Sequence, residues 1–191
     1  MARFFAASGI SPNFLSLLSL SFAALAGLFF VLSMNNLLLL LAAGIFVCLN
    51  ALFDCLDGIL ARETGNASKK GDFLDHVLDR YADVFIMGGI VFGGYVSWAI
   101  GIIAIIGVLL SSYMGTQAQA VGLSRVYGGL VGRADRLLLI IAATFLTFVF
   151  PHPIPASGLL RFSFLGWTLV LFALLCNATA VQRFFYAWRK M

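Results

Sequence analysis

The chain has 191 residues, of which 62% are hydrophobic and only 10% charged, with a formal net charge of +4 at pH 7. Long apolar runs recur along nearly its whole length and the mean hydropathy is +1.03, so the composition excludes a soluble enzyme and predicts an all-α, polytopic membrane protein. The twelve basic residues sit at the ends of apolar segments and form no stripe, which excludes a nucleic-acid surface, and an odd set of three cysteines in apolar segments (Cys48, Cys55, Cys176) excludes a disulfide framework.

No Pro/Ser-rich linker, low-complexity tract or internal repeat divides the sequence, so residues 1–191 read as a single membrane domain. Residues 1–10 carry Arg3 beside Phe4 and Phe5 and predict a short N-terminal interfacial segment. Ser11-Pro12-Asn13 then has the form of a helix start, and residues 14–32 are long enough to cross the bilayer. Ala24-Leu25-Ala26 imitates the cleavage site of a secretory leader, but the apolar run continues past it. Met34-Asn35-Asn36 makes an uncharged turn, and a second run from Leu37 leads into Asp54 and Asp57 near its end. A third helix is expected over about 72–95, with Asp72, Asp75, Asp79 and Asp83 in its first turns, where they complement the helix dipole. Further helices are expected over 97–120, 135–150 and 164–186, giving six transmembrane spans.

Basic residues set the orientation. Arg62, Lys69, Lys70, Arg125 and Arg133 lie in the links after spans two and four, and Arg189 and Lys190 end the tail. The opposite links carry only His152 and Arg161, so both termini and the acidic segment should face the cytoplasm of a cell membrane.

Seven of the eight acidic residues (Asp54, Asp57, Glu63, Asp72, Asp75, Asp79, Asp83) fall within thirty positions. On helices, Asp54 and Asp57 are spaced i, i+3 and Asp75 and Asp79 i, i+4, so each pair projects from one face. A polar link between Glu63 and Gly71 is long enough to reverse the chain and lay one pair against the other. Converging carboxylates require protonation, basic partners or a divalent cation, and hard oxygen ligands suit Mg²⁺, Mn²⁺ or Ca²⁺. The ordinary alternative is structural pairing with Arg62, Arg80, Arg133 and Arg136.

The run Asp54-x2-Asp57-Gly58-x2-Ala61-Arg62-x8-Gly71-x3-Asp75-x3-Asp79 resembles, at all eight specified positions, the signature of the CDP-alcohol phosphotransferases. The resemblance implies that Asp54, Asp57, Asp75 and Asp79 hold metal, with Mg²⁺ or Mn²⁺ as two ions. It also implies that Asp79 is the catalytic base, and that Gly58, Ala61, Arg62 and Gly71 border the nucleotide of a CDP-linked lipid or alcohol. Pro12-Asn13 with Ser16 is similar to a segment that borders the nucleotide in many members; its plain alternative is a capped helix start. Gly132-Arg133-Ala134-Asp135-Arg136, with Arg125 upstream, is similar to a stretch in relatives that use inositol phosphate. Two guanidiniums three residues apart can grip one phosphate, whereas a positive-inside anchor is the competing explanation. Gln117 and Gln119 stand where those relatives carry arginines, which leaves glycerol phosphate, serine or another polyol open as acceptor.

Gly88, Gly89, Gly93 and Gly94 include a Gly-x-x-x-Gly spacing that serves either the homodimer implied by the resemblance or packing within one protomer. His76 and His152 read as local polar groups, and the glycosylation patterns at Asn66 and Asn177 as unused. The sequence thus predicts an enzyme of phospholipid biosynthesis that moves a substituted phosphate from a CDP-linked donor to an acceptor alcohol, best a phosphorylated polyol, and releases CMP. The alternative is a cation or proton-coupled transporter using the same carboxylates.

Overall fold

In the computed structural model, which describes residues 11–65, 68–124, 126, 128–155 and 160–191, the hydropathy pattern resolves into six helices. They are α1 (Pro12–Leu32), α2 (Leu38–Glu63), α3 (Lys69–Phe92), α4 (Trp98–Ala120), α5 (Arg133–Val149) and α6 (Phe164–Trp188). The expected interfacial segment at 1–10, and Arg125, lie outside the described residues. Four helices, α1, α2, α4 and α6, are long and apolar enough to cross a membrane. The other two differ for plain reasons: α3 carries the acids, and α5 has 17 residues and opens on Arg133, Asp135 and Arg136. The chain forms two compact units, Met1–Gly89 and Ile90–Met191.

Local chemistry sets the helix ends of the first unit. Ser11 caps α1, its hydroxyl accepting from the Phe14 N–H at 3.3 Å, with Pro12 in the first turn. The Asn36 side chain accepts from the Leu38 N–H at 3.0 Å and starts α2. At the far end of α2 the Thr64 hydroxyl donates to the Leu60 carbonyl at 2.8 Å, and Gly65, at φ +67°, takes the left-handed turn that stops the helix. Ser68 then accepts from the Gly71 N–H at 3.1 Å, which is why α3 begins at Lys69, three residues before the start expected from the acids. It ends at Phe92 because Gly94 turns at φ +70° and the Tyr95 N–H returns to the Ile90 carbonyl at 3.3 Å.

Lipid offers little hydrophobic drive for helix association, so close packing and buried polar exchange hold this unit together. Phe22 of α1 meets Phe46 and Phe53 of α2 at 6.0 and 5.2 Å between ring centroids. Beside them the Asn50 side chain donates to the Ser19 carbonyl at 3.1 Å, and the Ser19 hydroxyl donates to the Asn50 carbonyl at 3.0 Å. On its other side α1 touches α3 backbone to backbone: a Cβ at Gly27 would strike the Phe85 carbonyl, and one at Gly89 would strike Gly27. Gly89 of the Gly-x-x-x-Gly run is therefore used inside the protomer.

In the second unit α6 packs on both α4 and α5. Asn177, one of the two glycosylation patterns, donates instead to the Ile103 and Ala173 carbonyls at 3.1 and 2.8 Å. α5 starts two residues before the expected Asp135, because the Asp135 carboxylate reaches back to accept from the Gly132 N–H at 2.8 Å.

The glycine contact yields a test. Gly89→Val should destabilise the detergent-solubilised protein by about 1–3 kcal/mol through overpacking, read as a lower melting temperature. Gly88→Ala, where an added Cβ meets nothing within 4 Å, should melt with the parent.

Candidate active site

The described residues of the first unit enclose a pocket of about 220 Å³ where α1, the end of α2 and the start of α3 meet. α1 contributes Pro12, Asn13 and Ser16; α2 contributes Asp57, Gly58, Ala61 and Arg62; and the α3 start contributes Ser68, Gly71, Asp72 and Asp75. Every nucleotide-contact residue expected from the sequence (Gly58, Ala61, Arg62, Gly71, Pro12, Asn13) thus lines one cavity. The small residues have a spatial purpose: a Cβ on Gly71 would already be 3.4 Å from the Ser68 hydroxyl and 3.6 Å from the Asn13 side chain, both of which line the pocket. The two explanations of the Pro12-Asn13 segment coexist, since Ser11 caps the helix while the next residues face the pocket.

Asp57 is only 5% exposed, and the Ser16 hydroxyl, itself buried, donates to its Oδ2 at 2.5 Å. Asp54, one turn earlier on α2, and Asp75, across on α3, lie close enough for their charges to act on Asp57. The pocket lining thus includes Asp57 and Asp75 but not Asp54 or Asp79. On α3, ligand atoms of Asp75, His76 and Asp79 all lie within 4.8 Å of one another. Arg80 pairs with Asp79 at 3.3 Å and with Asp83 at 3.7 Å, and His76 lies 3.7 Å from Asp72 and 3.8 Å from Asp75. Like carboxylates at such spacing repel by about 4 kcal/mol per pair at 4 Å and an effective dielectric of 20. Carboxylates outnumber the imidazole, so the donor set is hard and fits a divalent cation such as Mg²⁺ or Mn²⁺.

Sequence reasoning missed the place of His76, which is a local polar group by its contacts yet sits among the acids; its i, i+4 spacing from Asp72 was the available signal. It also missed Ser68, which both caps α3 and lines the pocket. In the second unit, Arg133 and Arg136 open α5 one turn apart, with Arg136 only 4% exposed. Gln117 and Gln119 lie exposed on the last turn of α4. The link between α4 and α5 is tied to α6: the Leu130 N–H donates to the Thr179 hydroxyl at 3.1 Å, and Arg183 Nε donates to the Gly128 carbonyl at 2.8 Å.

Helices apolar enough to cross a membrane, a carboxylate cluster that fits a divalent cation and a pocket lined by small residues and Arg62 suit an integral membrane enzyme that acts on a phosphorylated substrate. A profile of the family described as CDP-alcohol phosphatidyltransferase matches residues 9–185, and the chain belongs to that family. It is 37% identical over 139 residues to an archaetidylinositol phosphate synthase of Pyrococcus horikoshii, covering 73% of this chain and 71% of the relative. A second archaetidylinositol phosphate synthase, from Methanothermobacter thermautotrophicus, is 31% identical over 152 residues, covering 80% and 69%. Among solved structures, the Mycobacterium tuberculosis phosphatidylinositol phosphate synthase with CDP-DAG bound superposes with a TM-score of 0.80 at 27% identity, over 98% of this chain and 91% of that one. The same enzyme in complex with manganese and citrate gives 0.79 at 25% identity, over 98% and 87%. The protein is accordingly a metal-dependent transferase of phospholipid biosynthesis, which passes a substituted phosphate from a CDP-linked donor to an acceptor alcohol and releases CMP; the transporter alternative is set aside.

Metal dependence is open to direct measurement: excess chelator should abolish CMP release by the purified protein, and Mn²⁺ or Mg²⁺ added beyond the chelator should restore it.

Proposed function

We propose that the protein joins a CDP-linked lipid to a phosphorylated polyol, inositol phosphate first among them, at a site that faces the cytoplasm. The observation that carries this reading is the near-complete enclosure of Arg136 one turn from Arg133 at the start of α5. A topology anchor needs only to reach the headgroups, whereas a buried guanidinium beside a second one suits a phosphate monoester with about two negative charges. The similarity to archaetidylinositol phosphate and phosphatidylinositol phosphate synthases supports the same acceptor. The glutamines at 117 and 119 make glycerol phosphate the control that matters most.

On this reading Pro12, Asn13, Gly58, Ala61 and Gly71 leave room for the nucleotide, and Arg62 pairs with its phosphates. Asp54, Asp57, Asp75 and Asp79 hold two Mg²⁺ ions, which when bound neutralise the pyrophosphate and the charge that develops at the reacting phosphorus. Asp79 accepts the proton of the acceptor hydroxyl, and Arg80, 3.3 Å away, keeps that carboxylate oriented. The acceptor oxygen bonds to the β phosphorus, the bond from that phosphorus to the bridging oxygen breaks, and CMP departs with the electron pair. Arg133 and Arg136, with Arg125, hold the phosphate of the acceptor. Six spans, both termini in the cytoplasm and a homodimer complete the proposal. The basic links support the orientation, and an open face at Gly88 supports approach of a second copy.

The deciding assay supplies Mg²⁺ and a CDP-linked lipid with inositol phosphate, glycerol phosphate, serine or inositol, and scores CMP. Turnover should be highest with inositol phosphate, and preference for a free alcohol would sink the phosphorylated-acceptor reading. Substitutions at the arginines separate the two substrate roles. Arg62→Ala should raise the KM for the CDP-linked donor by about tenfold to a hundredfold, the loss of one charge-assisted bond of about 1.5–3 kcal/mol, with the acceptor KM little changed. Arg133→Lys and Arg136→Lys keep the charge but lose the planar fork, and should raise the acceptor KM alone.

A further inference from the structure

We infer that Ser16 is a positioning residue for the reaction: its hydroxyl fixes the Asp57 carboxylate in the orientation in which that carboxylate meets the metal. The inference rests on the reading of Asp57 as a metal ligand and extends it to a residue on a different helix. Ser16 has one proton and two acceptors within reach, the Pro12 carbonyl at 3.2 Å and Asp57 Oδ2 at 2.5 Å. The shorter contact is to the charged acceptor, in the range of an O–H bond to a carboxylate, and takes the proton.

This bond joins two buried groups. Ser16 is 8% exposed and Asp57 5%, and the neighbouring Leu15, Leu56 and Leu60 form an apolar cluster with Phe53 packed on it. The backbone geometry that brings the two together is set elsewhere, by the reciprocal Ser19 and Asn50 bonds farther along the same α1–α2 interface. A side chain aimed by a rigid helix pair, donating to a carboxylate that lines the pocket, is the arrangement by which outer partners orient metal ligands. Losing such a partner typically costs about 10- to 100-fold in metal affinity.

The experiment uses the full-length protein in detergent, without donor, and titrates Mn²⁺ by electron paramagnetic resonance. Ser16→Ala should bind Mn²⁺ about tenfold more weakly while melting close to the parent, and Ser16→Thr, which retains the hydroxyl, should bind as the parent does. A purely structural serine would lower the melting temperature and leave the Mn²⁺ constant unmoved. Parent-like affinity in Ser16→Ala overturns the inference, as does failure of Ser16→Thr to restore binding. Should the alanine variant not fold, Ser16→Cys, with a much weaker donor of similar size, should show the same loss, and parent-like binding there overturns the inference equally. Asp57→Asn is run in parallel. If it alone is weak, the role of Ser16 falls and the ligand reading stands; if it binds Mn²⁺ as the parent does, the ligand reading falls and the role of Ser16 with it.

Discussion

Negative charge held inside an apolar bundle is the constraint from which the first unit follows. A lone carboxylate in hydrocarbon is costly, and several together are costlier still. The bundle meets that cost by placing the acids at the end of α2 and in the first turns of α3, beside a pocket and within reach of Ser16, His76 and Arg80. Gly65, in the left-handed region, ends α2, Asp57 of α2 and Asp75 of α3 line one pocket, and the glycines and alanine around them leave space that larger side chains would fill. Function and folding therefore pull on the same residues: a metal that binds these acids also relieves the repulsion that disfavours their assembly.

The helices were legible because hydropathy in a membrane protein is a strong signal, and every expected span corresponds to a helix. Their ends were less so. α3 and α5 both start before the expected residue, in each case because a polar side chain, Ser68 or Asp135, completes a cap by accepting from a backbone N–H three residues away. The acidic signature was legible as spacing, and the structure gathers its small residues around one pocket. The Ser16 to Asp57 bond joins residues 41 apart in sequence, and no periodicity carries that information. Arg136 illustrates the same limit from the other side, since its position at a helix start was plain while its enclosure was not.

The second unit, like the first, is joined by polar side chains as well as by apolar packing. Its helices are joined through polar groups that reach backbone carbonyls: Asn177 to Ile103 on α4, and Arg183 to Gly128 in the link before α5. Thr179 receives the Leu130 N–H from that same link. The segment that delivers Arg133 and Arg136 is thus held by α6 at two points four residues apart, one turn on a single helix face. A link held in this way presents Arg133 and Arg136 from a fixed base.

The contact between Gly27 and Gly89 bears on how the first unit meets bilayers of different thickness. Side chains in a helix interface can repack and let one helix slide past another, but two backbones in direct apposition have nothing to deform. α1 and α3 therefore tilt as one beam. A thicker or thinner membrane must be accommodated by rotation of that pair as a body and by the turn at 33–37, which contains residues without regular helical bonding. The pocket, walled by the ends of these helices, then keeps its shape while its depth relative to the headgroups changes, so that lipid composition acts on access to the site and not on its geometry.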